Sequence, residues 1–135
     1  MDKFQQFRKL GLKDREYCII GGALELLGIR PGNDLDVLVV PSAFERVVKE
    51  QNLNAEKSFL GSTKADFGDV EIFTDDGFGR TASEWIFNSQ KVGGYRIGSI
   101  KDLIEWKKKL ITKPGRMPHK IPVDRKDIEA LEKIK

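Results

Sequence analysis

Three carboxylates in this chain are spaced for work on a charged substrate. The run Asp34-Leu35-Asp36-Val37-Leu38-Val39-Val40 is rich in β-branched residues and predicts a strand. Alternation then puts Asp34 and Asp36 on one face, with Cα atoms about 6.5–7 Å apart. Like charges at that spacing repel and disfavour each other's ionisation unless a cation intervenes, so an oxygen-ligated divalent ion such as Mg2+ would resolve the pair. The plainer alternative is two strand-end acids facing water. Val70-Glu71-Ile72 sets a third carboxylate between apolar residues of another expected strand, so Glu71 must face something polar. If the two strands are neighbours, three carboxylates converge at one end of a sheet, where they can hold one or two metal ions on a phosphate substrate. Asp69, on the same face, is the rival for the third place, but Gly68 before it marks the beginning of the strand.

Two further features bear on phosphate. Gly21-Gly22 follows an apolar run and opens a helix-forming segment; glycines let backbone approach a ligand closely, and the free amides of a helix start attract anions. A Gly-Gly pair alone is weak evidence, and its weight comes from preceding Asp34 by one short helix and a turn. Lys107 interrupts the apolar stripe Ile100, Leu103, Ile104, Leu110, Ile111 of a long helix. Either its stem snorkels along the core edge or its ammonium reaches a phosphate.

The elements that must position these residues follow from pattern and caps. Asp2 caps a short helix carrying Phe4, Phe7 and Leu10, and Tyr17-Cys18-Ile19-Ile20 reads as a buried strand leading through Gly21-Gly22 into a helix over 23–27. Pro41 ends the strand that holds the aspartates, and Ser42 with Glu45 forms a capping box for a helix to about Lys49. Strands are expected at 55–60 and 67–74, with 61–64 as the hairpin between them, and a short one at 95–97. Thr81 with Glu84, and Ser99 with Asp102, open further helices, the second over about 100–112. After Pro114-Gly115, Asp124 is expected to cap the last helix.

Composition bounds the reading. At 135 residues, with 39% apolar and 33% charged, the chain is expected to form a single domain over 1–135 with a core and a water-facing surface. No apolar run reaches the roughly 18–20 residues of a membrane span, and Met1 to Lys9 has no apolar stretch of the signal-peptide kind, so a cytoplasmic protein is expected. One cysteine, Cys18, and one histidine, His119, allow neither an internal disulfide nor a Cys/His zinc site. The net charge of +3 hides an asymmetry, because residues 101–135 hold 11 basic against 6 acidic side chains. That points to a partner carrying phosphate, or to a solvated lysine-rich helix face.

Together, Gly21-Gly22, Asp34-Leu35-Asp36-Val37 and Val70-Glu71-Ile72 resemble the signature of the nucleotidyltransferase superfamily, the polymerase-β-like fold. The stretch from Gly21 to Arg30 with Asn33-Asp34-Leu35-Asp36 looks closest to the AbiEii-like branch. Asp102-Leu103-Ile104 with Lys107, and the run Asp124 to Leu131, are similar to that branch's C-terminal helix pair. Val123 departs from it, standing where such proteins usually carry a lysine. The resemblance implies an α+β fold, a small mixed sheet flanked by helices with C-terminal helices; at 135 residues the chain is short for the family, so no dedicated acceptor-binding domain is expected. It further implies two Mg2+ ions and transfer of a nucleoside monophosphate from a nucleoside triphosphate to a hydroxyl, releasing pyrophosphate. Asp34, Asp36 and Glu71 would then be catalytic and bind metal, with Glu71 taking the acceptor's proton, while Gly21, Gly22 and Lys107 hold the triphosphate. The acceptor is open, with RNA suggested by the basic C-terminal third.

Other acid motifs fit less well. Dehalogenase-type phosphatases and metal-dependent glycosyltransferases place their acids after an apolar strand, whereas here the apolar run follows Asp34; a calcium loop beginning at Asp34 would need glycine at Val39. A protein of another class remains, one that keeps the fold and binds nucleotide or a protein partner, as an antitoxin does, without turnover.

Overall fold

The computed structural model describes residues 1–135, and the chain forms two compact units, Met1–Gly98 and Ser99–Lys135. The first unit is a mixed α+β structure around one sheet. Its helices are α1 (Lys3–Lys9), α2 (Ala23–Leu26), α3 (Pro41–Glu50) and α4 (Ala82–Asn88). Its strands are β1 (Tyr17–Gly21), β2 (Leu35–Val39), β3 (Glu56–Lys57), β4 (Thr63–Phe67), β5 (Val70–Phe73), β6 (Gln90–Val92) and β7 (Tyr95–Ile97).

The seven strands follow the order β3-β4-β5-β2-β1-β7-β6. β2 runs parallel to β5 and antiparallel to β1, and β1 is parallel to β7; the outer pairs β3–β4 and β6–β7 are antiparallel. The central strands are apolar because they are covered: Ile19, Leu35, Val37, Leu38, Val39 and Ile72 are all fully buried. In β2 and β5 the polar exceptions are Asp36 and Glu71, which pair with each other and are half-buried.

Three of the expected caps form. Asp2 and Gln5 make a reciprocal capping box, Thr81 accepts from the Glu84 amide, and Ser99 accepts from the Asp102 amide. The capping box expected at Ser42 does not. Helix α3 begins two residues earlier, with Val40 as N-cap and Pro41 at the first helical position, where a missing N–H costs nothing. The expected strands 55–60 and 67–74 become three, since β4 takes in the second half of the supposed hairpin at 61–64 and a tight turn falls at Gly68-Asp69. Strand β6 was not anticipated; Gly93-Gly94 is the two-residue turn of the β6–β7 hairpin.

The second unit is a helix pair, α5 (Ile100–Thr112) and α6 (Ile121–Ile134), joined through a 3-10 turn at Pro118–Lys120. Leu103, Leu110 and Leu131 are buried in it. Helix α6 starts at Ile121 rather than behind an Asp124 cap, with a proline in its first turn. Asp124 lies inside the helix, and its side chain is 1% exposed. No helix of either unit is long and apolar enough to cross a membrane.

Candidate active site

Strand register decides which carboxylates meet. β2 and β5 pair with Asp36 opposite Glu71, and β5 and β4 pair with Glu71 opposite Asp66. Directly paired residues share a face, so Asp36, Glu71 and Asp66 form one row across three adjacent strands. On the far side of β2 the row continues to Gly21, which pairs with Asp36 after a register shift in β1. Asp34 precedes β2 by one residue and is exposed. The Leu35 amide after it donates to the Asp69 carbonyl at 2.9 Å, which fixes the beginnings of β2 and β5 side by side. Asp69 itself belongs to the β4–β5 turn, its amide donating to Gln6 Oε1 at 2.8 Å and its side chain exposed.

The glycine pair is fixed by this row. A Cβ on Gly21 would stand 2.7 Å from Asp36 Cβ and collide with the Asp36 carboxylate. Gly22 has φ +94°, and a Cβ there would meet Leu35 Cδ2 at 2.6 Å. Both positions therefore require glycine for the close approach of β1 and β2, and Gly21 lies against the Asp36 carboxylate. Gly22 is the N-cap of α2, which has four residues and no side-chain cap, so the helix behind the turn is a single turn long.

Lys64 and Asp66 are site residues that the sequence reading missed. The Lys64 ammonium lies 3.1 Å from Asp66 Oδ1, 3.6 Å from Glu56 Oε1 and 3.7 Å from Glu71 Oε2. Burial works against its charge, but the Asp66 hydrogen bond and the Glu71, Asp66 and Glu56 charges outweigh it and hold Lys64 above the usual lysine range. The signal was present in Thr63-Lys64-Ala65-Asp66-Phe67, whose alternation leaves Ala65 buried and puts Lys64 and Asp66 on the opposite face.

The donor chemistry of the row suits a divalent cation of the Mg2+ kind. Its side chains are hard carboxylate oxygens, and the settling of an ammonium among Glu56, Asp66 and Glu71 shows that positive charge is favoured there. No three or more His, Cys, Asp or Glu side chains are gathered as a metal-holding group.

Lys107 belongs to the second unit. Its ammonium lies 3.0 Å from Asp127 Oδ2 and 3.3 Å from Asp124 Oδ1, with Lys107 8%, Asp124 1% and Asp127 2% exposed at the side chain. Arg116 also binds Asp124, through Nε and Nη2 at 3.0 Å. These pairs explain why a lysine stands in an apolar stripe: the opposing helix supplies buried carboxylates. Val123 is exposed on α6.

No family model matches the chain, and no curated protein does. A solved structure is similar in fold, that of the antibiotic-resistance factor ANT(2'')-Ia, with a TM-score of 0.53 at 16% identity over 99% of this chain and 92% of that one. At that identity the likeness is one of fold alone, and it does not single out the AbiEii-like branch.

Proposed function

We propose that the chain is a Mg2+-dependent nucleotidyltransferase of polymerase-β-like fold, moving a nucleoside monophosphate from a nucleoside triphosphate to an acceptor hydroxyl with release of pyrophosphate. The observation that carries this reading is the row itself: Asp36 and Glu71 in register on parallel strands, Asp34 two residues before Asp36, and a glycine turn held against them.

In this reading Asp34, Asp36 and Glu71 would hold two Mg2+ ions, which supply Lewis-acid stabilisation of the phosphoryl oxygens. The Gly21-Gly22 turn, packed against Asp36 and Leu35, would hold triphosphate oxygens through its backbone amides, as the family resemblance implies. Glu71, one strand away from the aspartates, takes the acceptor's proton as the new ester bond forms and pyrophosphate leaves. That Lys107 holds the triphosphate is implied by the family resemblance alone. The acceptor we favour is RNA, because Lys101, Lys108, Lys109, Lys120, Arg125, Lys126 and Lys133 of the second unit are exposed, whereas Asp102, Asp124 and Asp127 are buried. The reaction belongs in the cytoplasm, where nucleoside triphosphates are supplied.

Incubation with NTPs labelled at the α-phosphate, Mg2+ and cell RNA tests the proposal. Label transferred to acceptor, pyrophosphate released in step, and loss of both in Asp36→Asn are expected. One observation favours a second reading, a nucleotide-binding or antitoxin-like protein without turnover: the carboxylates are not gathered around an ion and Glu71 faces Lys64. Mg2+-dependent NTP binding with no pyrophosphate release under any acceptor would establish that reading instead.

A further inference from the structure

We propose that helix α1 is a positioning element of the candidate site: Lys3 and Gln6 hold the two loops from which β2 and β5 set out, and so fix where Asp34, Asp36 and Glu71 stand. The inference rests on the reading of those carboxylates as the nucleotidyl-transfer site, and adds to it a helix to which none of them belongs.

Lys3 and Gln6 are three residues apart on α1 and therefore neighbours on its surface. Phe7, one turn beyond Lys3, is 5% exposed, and its ring lies 4.8 Å from that of Tyr17 in β1, which seats the helix on the sheet. From that seat the two polar side chains reach different loops. The Lys3 ammonium donates to the Gly32 carbonyl at 2.7 Å and to Glu25 Oε1 at 2.9 Å, and the same Glu25 oxygen accepts from the Gly32 amide at 2.7 Å. Gly32 is thus held at both its polar backbone groups, two residues before Asp34. The Lys3 side chain is 13% exposed and that of Glu25 28%, so water screens the pair only in part. The Lys3 bond, and after it the Gly32 amide, keep the Glu25 carboxyl below its ordinary range. Gln6 Oε1 accepts from the Asp69 amide at 2.8 Å, two residues before Glu71. Gly68 makes room for this contact, since a Cβ there would stand 2.7 Å from Gln6 Oε1. The loops are also tied to each other by the Leu35 amide, which donates to the Asp69 carbonyl at 2.9 Å. Helix α1 therefore closes a triangle with the starts of β2 and β5. Phe7 alone would seat the helix; the bonds to Gly32 and Asp69 are what join it to the site. A strand start that shifts carries its carboxylate with it, and a misplacement of about 1 Å can cost a reaction about a hundredfold.

Pyrophosphate release with Mg2+, cell RNA and the NTP that wild type consumes fastest, read together with amide hydrogen exchange, tests this in wild type, Lys3→Met, Lys3→Arg, Gln6→Leu and Arg8→Met. Arg8→Met is the control on the same helix, because Arg8 donates to the Tyr95 hydroxyl of β7 instead. Lys3→Met and Gln6→Leu are each expected to lower kcat by about ten- to a hundredfold, with KM for the NTP within about threefold of wild type. In both, the Leu35 and Asp69 amides should exchange faster while those of β1 and β7 keep their rates. Lys3→Arg, which retains a donor for both Glu25 and Gly32, and Arg8→Met should keep kcat within about threefold. Should a variant fail to fold, Lys3→Gln or Gln6→Asn takes its place. Full turnover in variants whose Leu35 and Asp69 amides exchange faster, or unchanged exchange at those amides, overturns α1 as a positioning element and leaves the site reading standing. Faster exchange throughout the sheet, with kcat lost in Arg8→Met as well, assigns α1 to stability alone and overturns the proposal too. No pyrophosphate release by wild type, or release indifferent to Asp36→Asn, overturns the nucleotidyl-transfer reading and the positioning role with it.

Discussion

The two units handle charge in opposite ways. In the helix pair, Lys107 and Arg116 meet Asp124 and Asp127 at 2.9 to 3.3 Å, with the four side chains between 1% and 14% exposed. In the sheet, Lys64 faces Glu56, Asp66 and Glu71 at 3.1 to 3.7 Å, and those three carboxylates are 35% to 62% exposed. Burial enforces balance, since an ionised group out of water is tolerated only with a partner in hydrogen-bond contact. Partial exposure tolerates a surplus of one sign, and a surplus is what a ligand of the other sign can use. The helix-pair charges are therefore expected to matter to folding, and the row to binding and chemistry.

The sharpest break would come at Asp36. Asp36→Ala removes a half-buried acid from a like-charged row, so pyrophosphate release is expected to fall by at least about a thousandfold, roughly 4 kcal/mol in the barrier, while the thermal midpoint moves by only a few degrees. Retained activity, or a collapsed melting transition, would put the row on the structural side of the comparison.

Lys107→Met is the mirror case. It keeps the stem but removes the buried ammonium that meets both Asp124 and Asp127, so urea unfolding should show a loss of about 3 kcal/mol. A lysine that only snorkelled or reached a phosphate would leave stability nearly unchanged on this substitution; the buried aspartates reverse that. NTP titration of the folded variant then reports separately on the triphosphate contact.

Gly21→Ala joins both effects at one position. The added methyl meets the Asp36 side chain, so a stability loss of about 1–3 kcal/mol is expected together with a displaced carboxylate and weaker Mn2+ binding. A variant as stable as wild type with full Mn2+ affinity would show that the row is not held by the glycine turn.

Local chemistry in the sequence was enough to place the strand, glycine turn, short helix and aspartate strand, because caps, β-branched runs and glycines act within a few residues. Glu71 was found by its position between two apolar neighbours, and register then set it beside Asp36. Lys64 and Asp66 escaped because residues 61–64 were read as a hairpin; Gly68-Asp69, a two-residue turn signal between alternating segments, carried the correct boundary. The partners of Lys107 were illegible for a different reason. They lie 17 and 20 residues onward on another helix, and no spacing rule within one helix reaches across to the next. Asp124 was accordingly mistaken for a cap.

The smallest effect expected lies between the two regimes, at the ion pair of Glu16 and Arg46. Arg46 grips the Glu16 carboxylate with two hydrogen bonds, at 2.7 and 2.9 Å, and the side chains are 19% and 36% exposed. Those bonds, offset in part by burial, bring the Glu16 carboxyl from an ordinary 4.5 down to about 2. A lowered carboxyl binds fewer protons folded than unfolded, so its stabilisation is fully present above about pH 4.5 and fades as the pH falls toward 2. Solvent screening keeps the contribution near 1 kcal/mol at neutral pH. Glu16→Gln should therefore lower stability by about that amount at pH 7 and by progressively less in acid, the two proteins converging near pH 2. Unfolding curves at pH 7, 4 and 2.5 measure the difference. If Glu16→Gln costs as much as Lys107→Met, burial does not separate charges that hold the fold from those left for binding, and the contrast between the two units fails.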